Sequence, residues 1–372
     1  MNSTKINTVD AIMLVLTIAV AHSILSLPRT LLVTTKSATI LNLIYISIIA
    51  IFISYFIYYL FKKFPGADLM DVSEFLGGKV LKNIIGIIYL VFFIVSSSLL
   101  LRNFCECLKI IYYPMTNIVF IASLFIIAVC IANRFDFSAT LKTNTLILPI
   151  VLVFTIFLFF ANMNKFVPQR IFPILGDGVF QTFGLGLINL SSFAGIGFLY
   201  FLPPLLNQPE KMKKVCLISV GISAVYIILC VATLLFMFSF FIDTNEITPL
   251  YNATRYIEFG SFFQRLESVF LLFWILTFAC YISIVSKFSM RIFQKITNIE
   301  NKKALIDIFG ILILGIAILP KNYSISEKFE TTVYPYLVVG IVFVLSLCIL
   351  ILANLSKKKK LKKRILEFIR VW

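Results

Sequence analysis

Asn189-Leu190-Ser191-Ser192-Phe193-Ala194-Gly195-Ile196-Gly197 sits in the middle of an apolar run from about Phe180 to Leu202. A run of that length reads as a membrane-spanning helix, and such a helix must satisfy its backbone polar groups internally. This one carries Asn189, Ser191 and Ser192 at its centre, then Gly195 and Gly197. Each interior Gly costs about 1 kcal/mol of helix stability relative to Ala. Two readings compete. Either the helix opens at mid-membrane, against protein or a wet cavity, or small residues let two helices pack closely. The rest of the chain favours the opening.

The chain has 372 residues and is 60% hydrophobic, with a mean hydropathy of +1.01. That is the composition of a polytopic membrane protein. Ten spans are expected, centred near residues 21, 51, 92, 125, 152, 191, 228, 275, 312 and 343. They leave no room for a soluble enzyme domain. The run Ala11–Leu27 has no small-residue cleavage site and reads as a retained span, not a signal peptide. With the N-terminus inside, the inside segments hold 23 of the 33 Lys and Arg residues and the outside loops 10. Both termini are therefore expected in the cytoplasm. The net charge of +16 is a topology signal and not a nucleic-acid footprint.

The seven Cys lie mostly within spans, as small apolar residues. Cys105 and Cys107 flank Glu106, but no second Cys/His cluster completes a metal site. No Walker loop, zincin motif, nucleophile elbow or carboxylate pair is present. The chain is expected to be no enzyme and to need no cofactor.

Ten spans divide into five and five, and the second five would run upside down relative to the first. That is the inverted-repeat plan of many secondary transporters, marked by interrupted helices at matching positions. The sixth span matches the first. There, Ala21-His22-Ser23-Ile24-Leu25-Ser26-Leu27-Pro28 ends an apolar stretch on a helix-breaking Pro. His22 is the only His in the chain, near mid-span. It reads either as a packed neutral side chain or as part of a ligand or proton site. The expected fold is an all-α polytopic membrane protein, with ten transmembrane helices in two inverted five-helix repeats and broken helices 1 and 6. It forms a single transmembrane domain over residues 1–372: repeat one about 8–161, repeat two about 177–354, and a basic cytoplasmic tail at 355–372.

Ala21–Pro28 resembles the Gly-Ser-Gly-Ile-Phe…Pro pattern in the first helix of the amino acid–polyamine–organocation transporters. Phe193-Ala194-Gly195-Ile196-Gly197-Phe198 resembles the Phe-x-x-x-Gly-Phe pattern of their sixth helix. Here Ala21 and Ser23 stand where Gly is usual, His22 where a small residue is usual, and Leu199 where an acidic residue often follows. The resemblance implies that the two unwound segments hold an amino acid's carboxylate and amino groups. The implied ligand set is Ala21, His22, Ser23, Ile24, Asn189, Ser192, Phe193, Ala194, Gly195 and Gly197, with Ser96 from the third span.

Four further segments carry signals. Pro65-Gly66 is a turn, followed by a short acidic helix with Asp68, Asp71 and Glu74 that Gly77 should end. Arg102 and Glu106 in the third span are four apart and can pair, as an interfacial bridge or as a gate above a cavity. In the seventh-to-eighth loop, Thr248-Pro249 starts a helix with a Leu250, Ala253, Ile257 stripe, and Gly260 ends it. That helix is expected to lie across the outer mouth. Arg265 opens the next span against the helix dipole, so Glu258 or Glu267 should pair with it. Arg255 completes the candidate coupling set. The basic tail is a stop-transfer signal or a seat for anionic lipid.

Pro249-Leu250-Tyr251 through Arg255, then Phe263-Gln264-Arg265-Leu266-Glu267 and Trp274, is similar to the B-subunit family of spore germinant receptors, as is Pro65 through Lys79. This resemblance implies an integral protein of the spore inner membrane that works with A- and C-type subunits. It implies recognition of a small nutrient, commonly an amino acid, and ion release in response. A stand-alone amino-acid transporter is the alternative.

Overall fold

The computed structural model describes residues 5–24, 27–238, 249–257, 266–299 and 301–371. Among the described residues the chain is helical nearly throughout, and the single β-type contact is a bridge between Ile6 and Leu206. The elements before the sixth span are α1 (Thr8–Ile24), α2 (Leu27–Thr35), α3 (Thr39–Phe61), α4 (Leu69–Ile111), α5 (Ile118–Arg134) and α6 (Phe137–Ala161). The sixth span is irregular and contains only a short helix, α7 (Ile196–Leu199). Beyond it come α8 (Met212–Phe238), α9 (Pro249–Arg255), α10 (Leu266–Thr297), α11 (Lys302–Ala317), α12 (Tyr323–Lys328), α13 (Tyr334–Val338) and α14 (Ser346–Val371).

Two periodicities show what surrounds these helices. On α3, Ile44, Ile48, Phe52, Tyr55 and Tyr59 are exposed, while Asn42, Leu43, Ile46, Ala50 and Ile57 are buried. On α6, Leu146, Ile150, Val153, Phe157 and Phe160 are exposed. Steps of three and four put each set on one helix face. Apolar stripes of this size facing outward belong in lipid, not water. This is an integral, all-α polytopic membrane protein.

Among the described residues, six helical stretches are long and apolar enough to cross a membrane: Leu27–Phe61, Leu69–Ile111, Phe137–Ala161, Pro209–Phe238, Glu267–Thr297 and Tyr323–Lys358. The first is divided between α2 and α3 by a 3₁₀ turn, Lys36–Ala38, where Lys36 takes φ 50°. The expected ten spans are not reached by length alone. Helices α1 and α5 have 17 residues each and α11 has 16, and the sixth span is not a continuous helix.

α1 is the buried axis. From Ala11 to Ser23 every residue except Met13 is buried, packed on α6, α8 and α10. An aromatic pile closes the core beside it. Phe198 stacks on Phe93 at 4.6 Å and meets Phe288 edge-on at 5.0 Å.

Polar contacts sort the loops onto two faces. On the face that carries the chain ends, Ile6 N donates to Leu205 O and Leu69 N to Tyr200 O. Lys295 Nζ reaches Asp68 at 2.7 Å and Asp71 at 2.6 Å, and Asn354 Nδ2 donates to Leu60 O at 3.2 Å. On the opposite face Lys36 pairs with Asp177, Ser37 Oγ donates to Pro173 O, and Tyr112 and Tyr251 hydroxyls are 3.1 Å apart. The acidic helix after Pro65-Gly66 forms as the sequence predicts. Asp68 caps it, exchanging hydrogen bonds with Asp71, and it stops where Gly77 and Gly78 leave helical geometry, Gly78 at φ 70°.

Candidate functional site

The irregular sixth span begins with a π-turn at Phe180–Gly184 and tightens to 3₁₀ over Leu185–Phe193 before α7. Such backbone leaves carbonyls without helical partners, and in a membrane each must find one. Asn42 of α3 supplies them. Its Nδ2 donates to Thr182 O at 2.8 Å and Gly186 O at 3.1 Å, and its Oδ1 accepts from Asn189 Nδ2 at 2.8 Å. Gly186 has to be Gly for this, because a Cβ there would lie 2.4 Å from Asn42 Nδ2. Ser192 Oγ donates to Asn189 O at 2.7 Å.

Beside this segment lies a cavity of about 350 Å³. One wall is α1 and α2, with Ile18, His22, Thr30 and Thr34; the second is the 3₁₀ segment, with Asn189, Ser191, Ser192 and Ala194. The third is the π-turn after α12, with Glu330 and Thr331, and the start of α13, with Tyr334. α1 ends at Ile24 and α2 begins at Leu27, and the wall next to His22 draws on both helices. Pro28 falls in the first turn of α2, where a missing N–H costs nothing.

His22 and Glu330 meet at the back of the cavity. Both are buried. His22 Nε2 is 3.2 Å from Tyr281 Oη, and its ring stacks on Tyr334 at 5.5 Å. Its Nδ1 is 3.8 Å from Glu330 Oε1. The other carboxylate oxygen of Glu330 accepts from Asn103 Nδ2, and Ser326 Oγ holds Asn103 Oδ1 at 2.6 Å. A neighbouring ion pair, Arg29 with Glu327, ties α2 to α12. The arrangement offers a carboxylate, an imidazole, hydroxyls and irregular backbone to something small.

Of the expected ligand residues, His22, Asn189, Ser192 and Ala194 line this cavity. The others, Ile24 apart, are not in its lining and make packing or internal contacts. Ser23 Oγ turns back to Ala19 O at 2.7 Å, and Ser96 Oγ to Phe92 O at 2.8 Å. Ala21 and Phe193 are in the apolar core. Gly195 and Gly197 pack against neighbours, where a Cβ would stand 2.7 Å from Val15 O and 3.1 Å from Val342 Cγ2 respectively. Ile24 closes α1, and its side chain lies outside the described residues. Glu330, Tyr334, Thr30 and Thr34 were not expected. Glu330 is the last charge before the uncharged apolar stretch 331–355, and a carboxylate at the edge of such a run is the signal that points to it.

The coupling candidates separate. Arg102 and Glu106 pair at 2.7 Å and are buried, not interfacial, and neither lines the cavity. Arg255 is exposed at the end of α9 and Glu267 is half-buried at the start of α10. Glu258 and Arg265 lie outside the described residues. The predicted stripe on the outer helix is present, with Leu250, Ala253 and Ile257 buried, and Asn162 Nδ2 donates to Ala253 O at 3.3 Å. That stripe seats α9 on α8 and α10. Its described residues do not line the cavity.

The spore permease family model, described as spore germination protein, matches residues 5–326. The chain is similar to spore germination protein YndE of Bacillus subtilis, 24% identical over 86% of this chain and 88% of that protein. It is similar to spore germination protein A2 of the same organism, 24% identical over 86% of this chain and 87% of the relative. Spore germination protein XB of Bacillus anthracis is 22% identical over 59% of this chain and 61% of its own length.

Proposed function

Because the chain belongs to the spore germination protein family, a branch of the amino acid–polyamine–organocation superfamily, we propose that it is the nutrient-sensing membrane subunit of a germinant receptor. The observation that carries this reading is the cavity lined by α1, α2 and the irregular sixth span, with the buried His22 and Glu330 in its wall. Irregular backbone at membrane depth is costly and is retained where it lines a site. The ligand is a small nutrient, an amino acid in class, held by His22, Asn189, Ser192 and the facing Glu330. On this reading the shorter helices and the irregular sixth span also cross the membrane. That gives ten spans in two inverted repeats, 8–161 and 177–354, with both termini cytoplasmic. The setting is the spore inner membrane, with A- and C-type subunits as partners and anionic lipid at the basic tail.

Filling the cavity tests the proposal. Ala194→Trp, exchanged into the chromosomal gene, is expected to abolish germination in response to the nutrient while the protein stays at normal abundance in the spore membrane. Normal germination with normal abundance would sink it. A second reading, a transporter that works alone, is favoured by the buried His22 and Glu330, since ionisable groups at membrane depth mark proton-coupled pathways. Uptake of radiolabelled amino acids by proteoliposomes holding this chain alone would decide for transport.

A further inference from the structure

We propose that Glu330 is the counter-ion for an ammonium group, so that the cavity selects ligands carrying a protonated amine. The proposal rests on the cavity being the ligand site.

The argument starts from charge. A carboxylate inside a membrane protein is expensive unless a cation or several donors compensate it. Glu330 is 6% exposed and lines the cavity. One of its oxygens is fixed by the Asn103 amide, which Ser326 holds in turn. The other, Oε1, faces His22 Nδ1 across 3.8 Å, beyond hydrogen-bonding distance. Arg29, on α2, pairs with Glu327, and Arg102, next to Asn103, pairs with Glu106. Among the described residues, no Lys or Arg lines the cavity. The carboxylate is thus oriented by one neutral donor, the Asn103 amide, while its second oxygen faces His22 within the cavity lining.

The surroundings suit an ammonium. Tyr334 lines the same wall, and its ring, stacked on both His22 and Phe92, fixes that side of the site. The hydroxyls of Thr331, Ser191 and Ser192 lie in the same lining. An anion without an amine would meet Glu330 as a like charge, so the same group that attracts one class rejects the other. The volume, about 350 Å³, is at the low end for small-molecule sites, which run from roughly 300 to 1,000 Å³. It fits a single amino acid or a simple amine.

The test uses the purified full chain in lipid nanodiscs and calorimetric titration with a matched panel. The probes are L-alanine, L-valine and L-leucine, their deaminated acids (propionate, isovalerate and 4-methylvalerate), and the corresponding amines (ethylamine, isobutylamine and isopentylamine). At least one amino acid is expected to bind, its deaminated partner to bind about 30-fold or more weakly, and its amine to retain measurable binding. Glu330→Gln is expected to weaken the amino acid by a similar factor, and Glu330→Asp by less. Equal binding of an amino acid and its deaminated partner overturns the proposal without using any variant. So does failure of every compound to bind, or unchanged binding by Glu330→Gln. Ala194→Trp separates the two readings. If it abolishes binding while Glu330→Gln does not, the cavity stands and the counter-ion falls. If it binds as the parent does, the cavity reading itself fails.

Discussion

At Gly195 a side chain has nowhere to go. Its Cβ would stand 2.7 Å from the Val15 carbonyl oxygen, and backbone cannot step aside. At Gly197 the nearest atom is a Val342 methyl at 3.1 Å, which can yield by a few tenths of an ångström. Gly195→Ala is therefore expected to cost about 1–3 kcal/mol, and Gly197→Ala under about 1 kcal/mol. Melting curves of the two variants in detergent check the ranking, and equal midpoints would contradict it. The same pair shows what a sequence conceals. Glycine permits a broken helix and a close approach alike, and the letters do not say which is in use. In this span both occur. Gly186 serves the break, and Gly195 the approach to α1. His22 was legible for the opposite reason, because a single imidazole in an apolar run has few uses.

The elements depend on one another through Asn42. A continuous helix satisfies its own carbonyls, whereas Phe180–Phe193 borrows an amide from α3. Asn42→Leu is expected to strand Thr182 O, Gly186 O and the Asn189 amide together. Each buried polar group left unmade costs about 1–3 kcal/mol, so the loss should exceed that of any single packing variant. Thermal unfolding of purified Asn42→Leu checks this, and a parent-like midpoint would refute it. The irregular span itself was legible from its Gly, Asn and Ser content, and so was the acidic helix ending at Gly77. Asn42 was not, since a polar residue early in α3 looks like a flank until the partner span is known. The third cavity wall was missed likewise. Glu330 and Tyr334 reach His22 from more than 300 residues away, and only packing brings them there.

For the whole molecule, the contacts assign loops to two faces, and the ten-span topology expected from the sequence puts 23 of the 33 basic residues on the side of the chain ends. On the positive-inside rule that face is expected to be the cytoplasmic one. In a Cys348→Ser background, Asp177→Cys is expected to react with a membrane-impermeant maleimide in intact cells, and Gln208→Cys only after permeabilisation. The reverse labelling would invert the topology. One earlier feature joins the faces. Asn42, which holds the floor of the cavity, and Leu60, whose carbonyl takes the Asn354 amide of α14, sit on the same helix. Eighteen residues at 1.5 Å each make α3 a strut of about 27 Å. Its near end carries the hydrogen bonds of the cavity floor and its far end touches the helix that becomes the tail. Movement at one end is leverage at the other, and linkage makes the effect reciprocal. Asn354→Leu, far from the cavity, is expected to change the nutrient concentration that half-saturates the response, and an identical dose–response curve would show that the strut bears no load.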